Sequence, residues 1–263
     1  MSWRFENTGR QSGKYNMEYD ERLVRSLLGD SGTPTVRVYG WNPPAISLGY
    51  HQSMEDVDLE RCRQSGIDVV RRPTGGRAIL HSEEVTYCVA MPTSGKSVLT
   101  IYNEISRALL RGLDELGARI EFQKSQPHFP TLYKSPSSSA CFSSSARYEL
   151  QIRGKKLVGS AQRRFVASDG REVVLQHGSI LLGSDHKRIV QFLRLPRMVD
   201  QQILQKEMDE KTIDLSSAKG VTLTFDEVAP LIKKGFEQEW QIRFEDERME
   251  ASAYNAISPT DKG

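Results

Sequence analysis

Apolar positions along the chain change period several times, and each change marks an element. In YNMEYDERLVRSLL, Tyr19, Leu23, Val24, Leu27 and Leu28 recur at helical steps, which predicts a helix over Tyr15–Leu28 stopped by Gly29. Val36 and Val38 alternate in TVRVYG, a strand that Asn42-Pro43-Pro44 breaks before a second short strand, AISLG. Asp56 is placed to cap a short helix carrying Leu59 and Cys62 and stopped at Gly66. IDVVRR and VTYCVAM read as strands on either side of a Gly-Gly turn. In the second, Val85, Tyr87, Val89 and Met91 share one side. A longer helix is predicted over Thr100–Leu116, with Ile101, Ile105, Ala108, Leu109, Leu113 and Leu116 as its stripe and Gly117 as its stop.

The pattern then lapses. Pro127 to Ala146, which includes KSPSSSACFSSSA, holds too little apolar area to order itself and predicts a loop. RYELQIRGKKLVGSA follows as a hairpin turned at Arg153-Gly154, and VVLQHGSILL as a long buried strand. From Asp185 the chain reads as helical and more charged. A helix near Thr224–Trp240 opens with the capping-box pair Thr224 and Glu227 and carries Val228, Leu231, Ile232, Phe236 and Trp240 on one face. Pro230 predicts a kink or a late start there. Strands and helices intermingle without strict βαβ alternation, so the fold class expected is α/β or α+β, a mixed β-sheet flanked by helices.

Composition narrows the classes. The 263 residues carry 36 Lys+Arg against 34 Asp+Glu, a formal net charge of +2, which does not by itself imply nucleic acid as a partner. No apolar run approaches the ~18 residues of a membrane span. The start, MSWRFENTGR, is too polar for a secretory signal. Three cysteines do not make a disulfide framework. The expectation is a soluble, cytoplasmic protein with neither membrane nor nucleic acid as partner.

Walker A, G-x-G-x-x-G, G-x-S-x-G and H-E-x-x-H motifs are absent, and the five histidines (His51, His81, His128, His177, His186) have no metal-ligand spacing. No metal site is expected. Three features stand out. RRPTGGRAILH, residues 71–81, places a Gly-Gly step beside three arginines; it is either a turn with solvated arginines or a site for phosphate or carboxylate. GKKLVGSAQ, residues 154–162, sets lysines before a Gly-Ser-Ala run, as either a solvated hairpin or a cationic pocket wall. Cys62 and Cys88 read as small core residues, whereas Cys141 lies in the serine-rich loop, either incidental or a nucleophile.

In this order these segments resemble the biotin/lipoate A/B protein ligase family, and within it the branch that transfers octanoyl groups from acyl carrier protein. The matching pieces are WRFENTG, YNMEYDE, RVYGWNPPAISLGYHQ, RRPTGGRAILH, SSSACF, GKKLVGSAQRR and LQHGSILL. The resemblance implies one catalytic domain over residues 1–263, with a helical C-terminal segment at about 186–245, similar to the core of class II aminoacyl-tRNA synthetases. It implies an octanoyltransferase that moves the acyl group through a thioester on Cys141 to a lysine of a lipoyl domain, with Lys156 lowering the thiol pKa and no cofactor. Arg72, Gly75, Gly76, Arg77, Ala78, His81, Gly159, Ser160, Ala161, His177 and Gly178 would bind the acyl substrate. The implied donor is octanoyl-acyl carrier protein. Implied acceptors are lipoyl-domain proteins such as the glycine cleavage H protein or 2-oxo acid dehydrogenase acyltransferase subunits. Such partners are acidic, which makes Arg71, Arg72 and Arg77, and separately Arg163 and Arg164, expected docking points. Two alternatives stay open: an ATP-dependent lipoate or biotin ligase acting through an acyl-adenylate, and a non-catalytic binding protein of the same fold.

Overall fold

The apolar pattern does not reveal the first strand. In the computed structural model, which describes residues 2–29, 32–124, 148–195 and 200–245, Trp3–Gln11 is β1. Ser12 then caps Gly13–Leu28 (α1), its hydroxyl accepting from the Tyr15 N–H at 3.3 Å, so the helix begins two residues before the predicted start. Thr35–Trp41 (β2) and Ala45–Leu48 (β3) follow the predicted order. The short helix, Leu59–Gln64 (α2), is capped by Asp58, not by Asp56 as expected. Asp56 instead ends a separate 3-10 turn, Met54–Asp56, that Ser53 caps.

Asp68–Arg71 (β4), Ile79–His81 (β5) and Glu84–Pro92 (β6) lead to Val98–Leu113 (α3), which Ser97 caps. Its predicted last turn is a 3-10 turn, Asp114–Leu116. Glu121–Lys124 (β7), Tyr148–Ile152 (β8) and Lys155–Lys156 (β9) form a small antiparallel sheet. Arg153 and Gly154 turn its hairpin with φ of +53° and +73°, the positive values that a two-residue hairpin turn requires. Val158–Val166 (β10) and Glu172–Leu181 (β11) complete the strand-rich part. Gln201–Lys211 (α4), Leu215–Lys219 (α5) and Phe225–Trp240 (α6) precede Phe244–Glu245 (β12). The capping box of α6 is present, and Pro230 lies inside the helix, so the late start does not occur.

The main sheet runs β10-β11-β6-β2-β1-β12. β1 is parallel to both β2 and β12, and the other pairs are antiparallel, the mixed sheet that the sequence predicts. One face, with Val36, Val38, Val85, Tyr87, Val89 and Ile180, packs on α3 and α6. These helices cross closely, because a Cβ on Gly112 would lie 2.2 Å from the Leu231 carbonyl and one on Gly235 2.3 Å from that of Ala108. The opposite face, with Tyr39, Trp41, Cys88, Ala90 and Leu175, packs on Met17, Leu23, Val24 and Leu27 of α1. A second sheet, β4-β3-β5, builds its own core with α2, α4 and the 3-10 turn Asp185–Gln191. The candidate site lies where this sheet meets α1 and the main sheet. Among the described residues no helix is long and apolar enough to cross a membrane, and no cluster of His, Cys, Asp or Glu could hold a metal.

Candidate active site

Two charged residues break the apolar pattern and meet beneath the site. Asp20 lies on the buried face of α1, and Arg37 lies between Val36 and Val38 in a strand buried on both sides. Both side chains are fully buried, with Arg37 Nη1 2.7 Å from Asp20 Oδ1. A buried guanidinium needs every donor satisfied, and Arg37 also reaches Asn16 Oδ1 (2.6 Å), the Asn16 carbonyl (3.2 Å) and Thr8 Oγ1 (2.9 Å). Asp20 Oδ2 accepts from the Tyr39 hydroxyl at 2.9 Å and lies 2.9 Å from His177 Nδ1. Burial alone would raise the Asp20 carboxyl, but the hydrogen bond from His177 and the charge of Arg37 hold it below its usual range. Burial pushes His177 down, so its ring is neutral near pH 7. Nδ1–H then donates to Asp20, and Nε2 accepts from the Thr74 hydroxyl at 2.6 Å.

A parallel chain lines the other side. Ser47 Oγ is 2.7 Å from His81 Nε2, and His81 Nδ1 is 2.9 Å from Glu84 Oε1. The Glu84 carboxyl would be raised by burial; the charge and hydrogen bond of His81, with the Thr86 and Ser179 hydroxyls, bring it below its ordinary value. Trp41 stacks on His81, with centroids 4.1 Å apart and planes 11° from parallel, and donates to Thr86 Oγ1 at 2.7 Å. Ring orientation on both sides of the site is thereby fixed.

Between the two chains is a slot with about 430 Å³ of free space, its mouth included. Met17, Tyr39, Trp41 and Ile79 give it apolar walls, and Gly76, Gly159, Ala161 and Gly178 keep it narrow but open. A Cβ on Gly178 would lie 2.3 Å from the Gly159 carbonyl, 2.8 Å from Ser160 Oγ and 2.9 Å from the Tyr87 ring. Only glycine fits there. An unbranched apolar chain suits such a slot.

Most of the residues singled out in the sequence converge here: Arg72, Gly76, His81, Gly159, Ser160, Ala161, His177 and Gly178 all border the slot. Gly75, Arg77 and Ala78 do not. The Gly75 and Arg77 carbonyls accept from the Arg72 guanidinium, and Ala78 turns into the core of the second sheet. Lys156 is buried on β9 outside these walls, its backbone carbonyl accepting from the Ile213 N–H. Cys141 lies outside the described residues. The two described cysteines make poor nucleophiles, because burial pushes Cys62 up to about 11 and Cys88 well above its usual value.

The arginines divide as well. Arg72 is buried and donates to the Ser47 carbonyl and hydroxyl (2.9 and 3.0 Å), so it braces the turn and is not a docking point. Arg164 pairs with Glu172 at 3.0 Å. Sequence reasoning missed Asp20, Arg37, Ser47, Thr74 and Glu84. For Asp20 a signal existed, a charge at a position that the helical stripe of Leu23, Val24 and Leu27 assigns to the interior, whereas Arg37 alternates with Val36 and Val38 and so reads as facing water.

Comparison with known proteins fits this geometry. The profile of the Lipoyl protein ligase A/B catalytic domain matches residues 12–237. Octanoyltransferase LipM of Kyrpidia tusciae is 38% identical over 250 residues, 93% of this chain and 89% of that protein. The protein of the same name from Bacillus subtilis is 34% identical, over 93% of this chain and 88% of its own. Among solved structures, a bipartite lipoate protein ligase of Thermoplasma acidophilum superposes with a TM-score of 0.74 at 21% identity, covering 94% of this chain and 87% of that one. Lipoate-protein ligase A bound with ATP gives 0.71 at 20%, with 94% and 89% covered. The structural likenesses speak for the fold, and the profile and sequence identities together place the chain in the lipoyl protein ligase A/B catalytic-domain family.

Proposed function

We infer that the chain is an octanoyltransferase of protein lipoylation, acting as one catalytic domain over residues 1–263 in the cytoplasm. The observation that carries this is whole-length identity to octanoyltransferases, 38% over 93% of the chain. The narrow apolar slot supports it, since an octanoyl chain has the shape and polarity to fill it. In this reading octanoyl-acyl carrier protein is the donor, and a lysine on a lipoyl domain is the acceptor, in a glycine cleavage H protein or a 2-oxo acid dehydrogenase acyltransferase subunit. Arg72, Gly76, His81, Gly159, Ser160, Ala161, His177 and Gly178 hold the acyl chain, while Gly75, Arg77 and Ala78 keep the turn in shape.

The chemistry takes two exchanges. A free thiol with a pKa of ~8.5 is only a few per cent thiolate at neutral pH, and a nearby ammonium raises that share. Cys141 is the nucleophile in this reading and Lys156 the cation that favours its thiolate. The thiolate attacks the donor's thioester carbonyl, the carrier thiolate leaves, and octanoyl-Cys141 forms. The acceptor's neutral amine attacks that carbonyl, loses a proton, forms the amide and expels the Cys141 thiolate. Atoms and charge balance without nucleotide.

Intact-protein mass spectrometry tests the reading. Mixing the chain with octanoyl carrier protein, without nucleotide, should add one octanoyl group that hydroxylamine removes and a lipoyl domain discharges. Activity that instead requires ATP and free octanoate or lipoate would establish the ligase reading. Ligand binding without turnover would establish a binding protein.

A further inference from the structure

The slot continues beyond its own walls. Ala161 of β10 borders it, and Arg163 and Phe165, the next residues on the same side of that strand, border an open groove. Met17 of α1 borders the slot, and Glu21, Val24, Arg25 and Leu28, farther along the same helix, border the groove. Arg72 touches both. The groove is the more exposed end: Tyr50 is 45% exposed and the Arg25 side chain 66%, against 5% for His177 in the slot.

Its charge is one-sided, with Arg25, Arg71, Arg72 and Arg163 against Glu21 alone. Arg71 directs Nη1 to the carbonyls of Gly49, Tyr50 and Gln52, at 3.1, 3.0 and 2.6 Å. Arg163 directs Nη1 to the Pro73 carbonyl at 2.9 Å and lies over the Tyr50 ring, 3.9 Å from its centroid. Arg25 reaches Glu21 through Nη1 alone, at 3.4 Å. Nε and Nη2 of all three therefore have no hydrogen-bond partner among the described residues. Backbone carbonyls and an aromatic ring already hold two of these guanidiniums in place, so binding an anion orders little more. Planar donors on a fixed base suit phosphate oxygens.

We propose that this groove binds the phosphodiester of the donor's phosphopantetheine arm, so that the thioester at the arm's end enters the slot. The proposal rests on the reading of the donor as an acyl carrier protein. An arm whose single anion sits outside the slot has its acyl end inside, and the two sites lie end to end along α1 and β10. The arm is thus aligned before any contact with the carrier's own surface.

The test compares transfer from octanoyl-phosphopantetheine with transfer from octanoyl-pantetheine, which differ only in the phosphate. One charge-assisted contact predicts a preference of about tenfold or more in kcat/KM for the phosphorylated donor. Arg163→Gln and Arg71→Gln should each pull that preference toward one. Arg25→Gln, on an exposed helix face where folding is safe, should reduce it a few-fold. Lys206→Gln, on the exposed face of α4 in an (i, i+4) pair with Glu210, should leave it unchanged. Equal use of the two donors by the unaltered protein, or a preference that survives all three arginine changes, overturns the groove while leaving the transferase reading intact. Failure to use either small donor by protein that still accepts octanoyl carrier protein overturns the groove alone, and failure with the carrier protein as well overturns the transferase reading.

Discussion

Asp20→Asn probes the buried network under the slot. The substitution keeps the volume and leaves an amide oxygen for Arg37 Nη1, now 2.7 Å from a carboxylate oxygen, but it removes the charge that balances a fully buried guanidinium. Breaking one side of a buried pair costs about 3–5 kcal/mol, and the near-isosteric Asn puts the expectation at the lower end, about 3 kcal/mol. That is a large part of the roughly 5–15 kcal/mol by which domains are stable. The amide nitrogen would meet two donors, the Tyr39 hydroxyl and His177 Nδ1–H. The hydroxyl can rotate away, whereas the imidazole must give up the bond or move its proton to Nε2. In the second case Thr74 stops donating to His177 and its hydroxyl turns. Urea unfolding followed by tryptophan fluorescence measures the first effect, and nitrogen NMR of the histidine tautomer the second. Arg37→Met combined with Asp20→Leu should cost less than the two single changes summed, because neither charge is then left alone. A loss below about 1 kcal/mol for Asp20→Asn, with the tautomer unchanged, would refute the argument.

Acid should weaken the fold through His186, which burial holds down to about 4 against an ordinary 6.5 and whose Nε2 is 2.8 Å from Thr212 Oγ1. The unfolded chain takes up that proton first, so stability is fully present above pH 6.5 and falls by about 3 kcal/mol as pH drops toward 4. Tm against pH should show this slope, and His186→Gln should flatten it. Gly178→Ala forces a Cβ into three contacts under 3.0 Å, so it should cost about 1–3 kcal/mol and raise KM for octanoyl donors, as chemical unfolding and steady-state kinetics would report. Cys141→Ala should abolish the covalent octanoyl adduct, while Cys62→Ser and Cys88→Ser should alter only stability, as mass spectrometry and thermal melts would show. Lys156→Ala should shift thiol alkylation to higher pH. Lys155→Ala, whose ammonium donates to the Asp209 carbonyl on α4 at 2.8 Å, should leave that profile as it is.

The elements that a local period can specify were readable in the chain. The stripe of α1, the alternation of β6, the Arg153-Gly154 hairpin and the Thr224 capping box depend on neighbours within a few residues, and all are present. One reading of the Gly-Gly step in RRPTGGRAILH is a ligand site, and one reading of GKKLVGSAQ is a pocket wall; Gly76, Gly159 and Ala161 do border the slot. β1 escaped notice because Trp3–Gln11 gains its place from pairing with β2 and β12, far away in sequence, and shows little alternation of its own. The partners of His177 were equally invisible. Asp20 lies 157 residues from His177 and Thr74 lies 103 from it, and no spacing rule connects them. The sequence alone determined which apolar side chains avoid water and where the chain must turn. Which buried charge faces which was decided only by tertiary packing, because an isolated charge in the interior is stable only beside its counter-charge, and the fold alone brings the two together.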